Sequence, residues 1–163
     1  MVIKKILLTI RPTIIKSMTE IKIYDAVNRP NLFEKREVVK FLFDNLEEYG
    51  DRKKDIQKAI DYSTKEISSF GGFTMLLMDE KKMLGALVMN QTGMGGYIPE
   101  NVLVYIATHT KHRGEGLGKM LMNKAIEYAK GDIALHVETG NPAKNLYEKL
   151  GFTNPYLEMR LKK

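Results

Sequence analysis

The chain contains no cysteine, so it has no disulfide framework, no thiolate nucleophile and no Cys-ligated metal. A reducing, cytoplasmic setting fits that absence. No apolar run approaches the ~20 residues needed to span a bilayer, so no membrane partner is expected. Internal repeats, low-complexity tracts and long polar linkers are also missing. Acid is missing from one region in particular. Residues 1–19 carry Lys4, Lys5, Arg11 and Lys16 and no Asp or Glu, which accounts for most of the formal net charge of +6. The remaining chain mixes both signs without a basic stripe, so a solvated surface explains the charge better than a nucleic-acid partner.

The length of 163 residues suits one domain with a sizeable core. Residues 20–163 are read as that domain, and residues 1–19 as an N-terminal extension. Within the extension, Ile6–Ile10 is too short for a secretory core and no small-residue cleavage site follows. Met18, just ahead of a strand pattern, is an alternative start, which would make the preceding residues foreign to the native protein.

Periodicity then orders the elements. Residues 21–27 alternate as a strand, and Asn28-Arg29-Pro30-Asn31 breaks it. Val38, Phe41, Leu42, Leu46 and Tyr49 recur at helical spacing until Gly50. Ile56, Ala59, Ile60, Ser63, Ile67 and Phe70 form a second amphipathic set, closed by Gly71-Gly72. Residues 73–78 and 83–90 read as a hairpin, 102–108 as a strand, 117–128 as a helix, 133–138 as a strand, 143–150 as a short helix and 157–161 as a last strand. The order β-α-α-β-β-β-α-β-α-β is a mixed α/β fold.

The segment Arg113-Gly114-Glu115-Gly116-Leu117-Gly118-Lys119 lies between a strand and an amphipathic helix. Amides at a helix start are unpaired and sit at its positive end, so a side-chain-free loop there suits a diphosphate. Two better-known phosphate loops are excluded. A Walker A pattern requires Gly at 113 and Ser or Thr at 120, where the chain has Arg113 and Met120. A dinucleotide fingerprint requires Gly at 119 or 121, where it has Lys119 and Leu121. The second segment is Asn141-Pro142-Ala143-Lys144-Asn145-Leu146-Tyr147-Glu148-Lys149-Leu150-Gly151-Phe152.

Arg113 through Gly118 resembles the Arg/Gln-x-x-Gly-x-Gly/Ala signature of the GNAT family of N-acetyltransferases. Asn141 through Phe152 is similar to that family's segment ending Leu-Tyr-Glu-Lys-Leu-Gly-Phe, and the element order from about residue 20 onward resembles its fold. The resemblance implies a central mixed, mostly antiparallel sheet flanked by about four helices. Two strands, 102–108 and 133–138, would splay to admit the pantetheine arm of acetyl-CoA. It also implies acetyl transfer to an amine by direct attack in a ternary complex, without a metal. Cosubstrate contacts then fall on Ile106, Ala107, Thr108, Arg113, Gly114, Glu115, Gly116, Leu117, Gly118, Lys119, Asn141 and Tyr147. Tyr147 is implied as the acid to the departing thiolate, and the Thr108 amide as the oxyanion contact.

Each assignment has a plainer rival. Tyr147 shares an apolar helix side with Ala143, Leu146 and Leu150, so it could be core. Asn141 before Pro142 could simply start the helix, and Arg113 could brace its loop. Positions where some relatives carry a base hold Val102 and Val104, leaving Glu100 and Glu138 as candidate bases or substrate contacts. His109, His112 and His136 form no convincing metal set. The Gly93–Gly96 stretch reads as a lid or as a plain hairpin turn. The acceptor is left as an amine-bearing small molecule or peptide, and the assembly as monomer or homodimer. An acyl-CoA-binding sensor on the same fold, without catalysis, is the main alternative, and a nucleic-acid-binding module the third.

Overall fold

The structure, a computed structural model, describes residues 19–163. Residues 1–18 of the N-terminal extension, with the alternative start at Met18, lie outside the described residues, whereas Thr19 already belongs to the sheet. Strand β1 forms over Thr19–Tyr24, stopping short of the expected Val27. Asp25 ends it: its Oδ1 accepts the amides of Val27 and Asn28, each at 2.8 Å, and makes a tight turn.

Helix α1 runs Leu32–Leu46, beginning earlier than its apolar spacing suggests. A reciprocal cap explains the difference. Asn31 Oδ1 accepts the Glu34 amide at 2.9 Å, and the Asn31 amide donates to Glu34 Oε2 at 2.8 Å. A 3-10 turn, Glu47–Tyr49, follows. Helix α2 spans Lys53–Ser63 and ends well before Phe70. Thr64 Oγ1 turns back to the Ile60 carbonyl at 3.0 Å, Lys65 adopts φ +54°, and Ser69 Oγ donates to the Tyr62 carbonyl at 2.7 Å. These local bonds compete with helix continuation. They leave Ile67 and Phe70 exposed.

The chain continues as β2 (Gly72–Asp79), β3 (Lys82–Gln91), β4 (Asn101–Thr108), α3 (Leu117–Tyr128), β5 (Ile133–Leu135) and α4 (Lys144–Lys149). The strands form one five-stranded sheet in the order β1-β2-β3-β4-β5. The first four pair antiparallel, and β5 joins β4 in parallel. The expected mixed, mostly antiparallel sheet with four helices is therefore present.

Helices α1 and α2 cover one face, where Val38, Leu42, Ile56, Ile60, Val88 and Tyr105 share a core. Helices α3 and α4 cover the other, where Met75, Leu87, Leu103, Leu117, Leu121 and Tyr147 share a second. Leu42, Ile56 and Ile60 are wholly buried, each contributing roughly 1.5–3 kcal/mol of apolar transfer.

One expected strand is corrected. Residues 157–161 form no strand and pair with no other described strand. Their alternation is real, but β5 stops after three residues and leaves no adjoining ladder for Leu157, Met159 and Leu161 to pack on. All three remain exposed. Among the described residues no helix is long and apolar enough to cross a membrane.

The α1–α2 pair is fastened by a buried cation. Lys35 is 5% exposed and its Nζ donates to Asp61 on α2 at 2.6 Å and to Glu66 just beyond it at 2.5 Å. Burial alone would pull the ammonium down, yet the two carboxylates hold it above its ordinary value. Replacing Lys35 with Ala leaves both acids without that cation. We expect a loss of about 2 kcal/mol, between the limits for exposed and fully buried pairs, read as a lower urea midpoint at unchanged m-value.

Candidate active site

Strands β4 and β5 pair only at Asn101–Ile133, Val102–Ala134 and Leu103–Leu135. Strand β4 runs on to Thr108 while β5 departs, so the sheet opens between them. The expected splay of these strands is observed, with the paired part of β5 shorter than its sequence pattern suggests.

What faces the opening depends on strand phase. In an antiparallel ladder, successive residues alternately exchange main-chain bonds with the partner strand or turn them away. The His109 amide donates to the Leu84 carbonyl at 2.8 Å, so Ala107, two residues back and opposite Ala86, also faces β3. Ile106 and Thr108 therefore turn their main-chain groups toward the opening, where no strand meets them. At the other end of β4, the Asn101 amide donates outward to the Asp132 carbonyl at 3.0 Å. Odd positions face outward there and even positions at the far end. The phase changes at Val104, where the register with β3 slips: Met89 opposes Leu103 and Val88 opposes Tyr105. Val104 is thus a bulge residue. Side chains record the same switch. Leu103 and Ile106 pack on the α3–α4 face, whereas Val104 and Tyr105 both pack on the α1–α2 face.

The glycine loop lies beyond the end of β4. Gly114 and Gly116 have φ of +79° and +81°, conformations that favour glycine, and a Cβ on either would meet nothing within 4 Å. Gly118 serves differently. A Cβ there would lie 3.4 Å from Leu146 Cδ2 and 3.7 Å from Thr108 Cγ2, so the starts of α3 and α4 converge on the end of β4. The first amide of α3 with an acceptor is that of Met120, which donates to the Gly116 carbonyl at 3.0 Å. The amides of Gly114 through Lys119 donate to no other described residue. This is an open, positively polarised concavity made of main chain, and it fits a diphosphate.

Side chains around the loop mostly brace it. Arg113 Nη2 donates to the Asn45 carbonyl at 2.9 Å, and its Nη1 pairs with Glu47 Oε2 at 3.1 Å. The guanidinium thus satisfies an orphan carbonyl at the end of α1. Asn45 Oδ1 in turn accepts the Thr110 amide at 2.9 Å. Glu115 leans toward His112 at 3.3 Å, Leu117 is buried in the core, and Lys119 is exposed. His112 also meets Lys82 Nζ at 2.8 Å. His109 is held below its ordinary pKa by desolvation and by the nearby Lys82, His112 and Lys111.

Tyr147 is 7% exposed and packs in the same core as Leu103, with Ile106, Leu135 and Val137 against that core. Its ring meets Phe152 edge-on at 5.8 Å. No hydrogen bond to a described residue engages the hydroxyl, and burial pushes the phenol up to about 12. Asn141 Oδ1 accepts the Ala143 amide at 2.9 Å, so this acceptor serves the local turn into α4.

The structure does not bring the two candidate bases together. Glu100 precedes the paired segment of β4, and its Oε2 accepts the Asp132 amide at 2.8 Å. Main-chain donors from Asp132 and Gly96 hold it below the usual carboxylate range. Its carboxyl packs beside Gly95 and Gly131, pinning loops at the end of the sheet away from the opening. Glu138 is exposed just past β5. His136 meets Glu158 at 3.6 Å, and no group of His, Asp or Glu among the described residues could hold a metal ion. Gly93 packs against the Phe70 ring in a simple reversal. A hollow of about 560 Å³ lies against α1, lined by Glu34, Glu37, Phe41 and Met83, and does not include the opening.

Two residues on the α1–α2 face of β4 carry no signal of their pairing in the sequence. Tyr105 donates through its hydroxyl to Asp51 Oδ2 at 2.6 Å. Simple alternation hides Tyr105 because the Val104 bulge reverses its face. Asp51, just after Gly50, carries only the signal of a helix-linking turn.

The model of the acetyltransferase (GNAT) family matches residues 36–152, well over half the chain, and the protein belongs to that family. Solved structures of similar fold include a transcriptional regulator from Bacillus halodurans C-125, 21% identical, covering 88% of this chain and 100% of that one at a TM-score of 0.61. A ribosomal-protein-alanine N-acetyltransferase from Brucella melitensis biovar Abortus 2308 is 14% identical, with 89% and 99% covered at 0.62. An aminoglycoside N-acetyltransferase in complex with CoA is 12% identical, with 89% and 95% covered at 0.64.

The left-handed Gly116 yields a direct test. Gly116→Val costs roughly 1–2 kcal/mol of strain and puts a side chain beside the free amides. Calorimetric titration of coenzyme A should show about tenfold weaker binding, worth about 1.4 kcal/mol, in a protein that still melts cooperatively.

Proposed function

We propose that this protein is an acetyl-CoA-dependent N-acetyltransferase that transfers an acetyl group to a primary amine by direct attack in a ternary complex. The observation that carries the reading is the opening in the sheet beside the outward-facing Ile106 and Thr108 amides, with the glycine loop beyond the end of β4. When bound, acetyl-CoA supplies an activated acetyl thioester with a thiolate leaving group. The amides of Gly114–Lys119 hold its diphosphate at the start of α3. The main chain of Ile106 and Thr108 continues the ladder that β5 abandons, giving the pantetheine amides strand-like partners. Ala107 contributes by setting the spacing between them, since its own amide is engaged with β3. Asn141 shapes the start of α4, its main-chain amide is taken by the Glu138 carbonyl, and its side-chain Nδ2 is left to donate.

Two groups act on the reacting centre. The Thr108 amide donates to the carbonyl oxygen where negative charge develops, and a fixed donor needs no reorganisation as that happens. Tyr147 gives its proton to the departing sulfur. A phenol pushed up to about 12 stays protonated at neutral pH, as a proton donor must. The acceptor is an amine-bearing small molecule or peptide, a range that includes the aminoglycoside and ribosomal-protein substrates named for the structural neighbours.

Thiol release measured against a panel of amines tests the reading. Turnover with at least one amine is expected, and Tyr147→Phe should lower kcat by about 10²–10⁴ at saturating substrates. Unchanged kcat in that variant removes the acid role from Tyr147. Tight acetyl-CoA binding without release across the panel supports a non-catalytic acyl-CoA sensor instead.

A further inference from the structure

An acceptor nitrogen must shed a proton as it becomes an amide, and something has to receive it. The β4 positions where some relatives carry a base hold Val102 and Val104, and Glu100 is tied to main-chain donors at the end of the strand away from the opening. Glu138 lies past β5 and is exposed, with no side-chain bond that fixes its direction.

The α1–α2 face supplies a different carboxylate. The bulge at Val104 turns Tyr105 onto this face, where the residue is 8% exposed and packs in the core beneath α1 and α2. Its hydroxyl reaches out to Asp51 Oδ2 at 2.6 Å. Asp51 sits in the link between the 3-10 turn and α2 and is itself exposed. An exposed carboxylate is ordinarily free to rotate in water, whereas a buried phenol that donates to it fixes its direction. No other described residue donates a hydrogen bond to Asp51.

The other charged groups facing this pair are few. Asp55 on α2 is paired with Arg52 at 2.9 Å and acts on Tyr105 electrostatically. Arg160 of the C-terminal segment feels Asp51 and is engaged by Glu158. Across the opening, Glu138 acts on Tyr49, whose hydroxyl donates to the Gly140 carbonyl at 3.4 Å. Desolvation and the Asp51 and Asp55 charges push the Tyr105 phenol up, so it remains a donor. Tyr147 belongs to the opposite core, and the sheet separates the two tyrosines except where β4 and β5 part.

We infer that Asp51, oriented by Tyr105, takes the proton from the acceptor nitrogen on the face of the opening opposite Tyr147. The inference rests on the N-acetyltransferase reading. An N–H bond breaks with its electrons left on nitrogen and an O–H bond forms on Asp51; the exposed carboxyl returns that proton to solvent, while Tyr147, having protonated the departing thiolate, recovers one from solvent. Tyr105 is a positioning residue.

Steady-state kinetics with an amine that the native protein acetylates decide the matter. In Asp51→Asn, kcat should fall about 100-fold while coenzyme A affinity stays unchanged. Its kcat should also climb with pH between about 7 and about 9, as solvent base takes over, where the native enzyme is level. Asp51→Glu should recover part of the loss. Tyr105→Phe should cost about tenfold and keep the native pH profile, because the carboxylate remains but is less well aimed. Three results overturn the role of Asp51: kcat within about threefold of native, a loss seen in KM alone, or a reduced kcat with the native pH profile. Native kcat in Tyr105→Phe overturns the positioning role. If the native protein binds coenzyme A yet acetylates no amine, the N-acetyltransferase reading fails and takes this inference with it.

Discussion

A single extra residue in β4 governs the arrangement of everything around the opening. Val104 has no partner on β3, and its insertion reverses which main-chain groups point outward along the rest of the strand. Without it, Ala107 rather than Ile106 and Thr108 would present amides to the side from which β5 departs. The same insertion sends Tyr105 to the α1–α2 face, where it meets Asp51. A bulge normally disturbs a ladder and sharpens local twist. Here its position coincides with the end of the β4–β5 pairing at Leu103 and Leu135.

The two cores and the loop anchors hold that geometry in place. Helix α1 ends at the glycine loop, and Arg113 and Asn45 tie the two together across a separation of more than sixty residues in sequence. The anchor is polar and local, so it fixes the loop without filling the space in front of its amides. On the opposite face, Leu117 and Tyr147 share one core although they belong to different helices. Displacement of either helix would therefore reach the walls of the opening through direct packing.

Much of this was legible in the chain. Helical periodicity located α3, and the glycine loop located its start. The hairpin of β2 and β3 followed from the polar turn at residues 79–82. Local chemistry set the boundaries that periodicity missed. Asn31 and Glu34 stand three apart, as a reciprocal cap requires, yet the apolar repeat begins only later at Val38. Ile67 and Phe70 continue the spacing of α2, but Thr64 and Ser69 spend their hydroxyls on carbonyls of the preceding turn. The bulge was hidden because β4 is apolar on both faces, so no polar residue falls out of step to mark the change of phase. The Tyr105–Asp51 bond joins residues 54 apart, a separation over which spacing carries no information. The alternation at 157–161 was visible too, but alternation alone cannot supply a neighbouring strand.

The concavity at Gly114–Lys119 and the outward amides of Ile106 and Thr108 are made of main chain, whereas the α1–α2 side of the opening is lined by side chains. The two halves consequently answer differently to sequence drift. Main-chain donors survive replacement of the residues that carry them, provided the left-handed glycines and the bulge persist. Side-chain groups such as Asp51 vanish with a single codon change. A change of side chain in the α1–α2 linker can therefore alter that side of the opening while the main-chain donors stay in place.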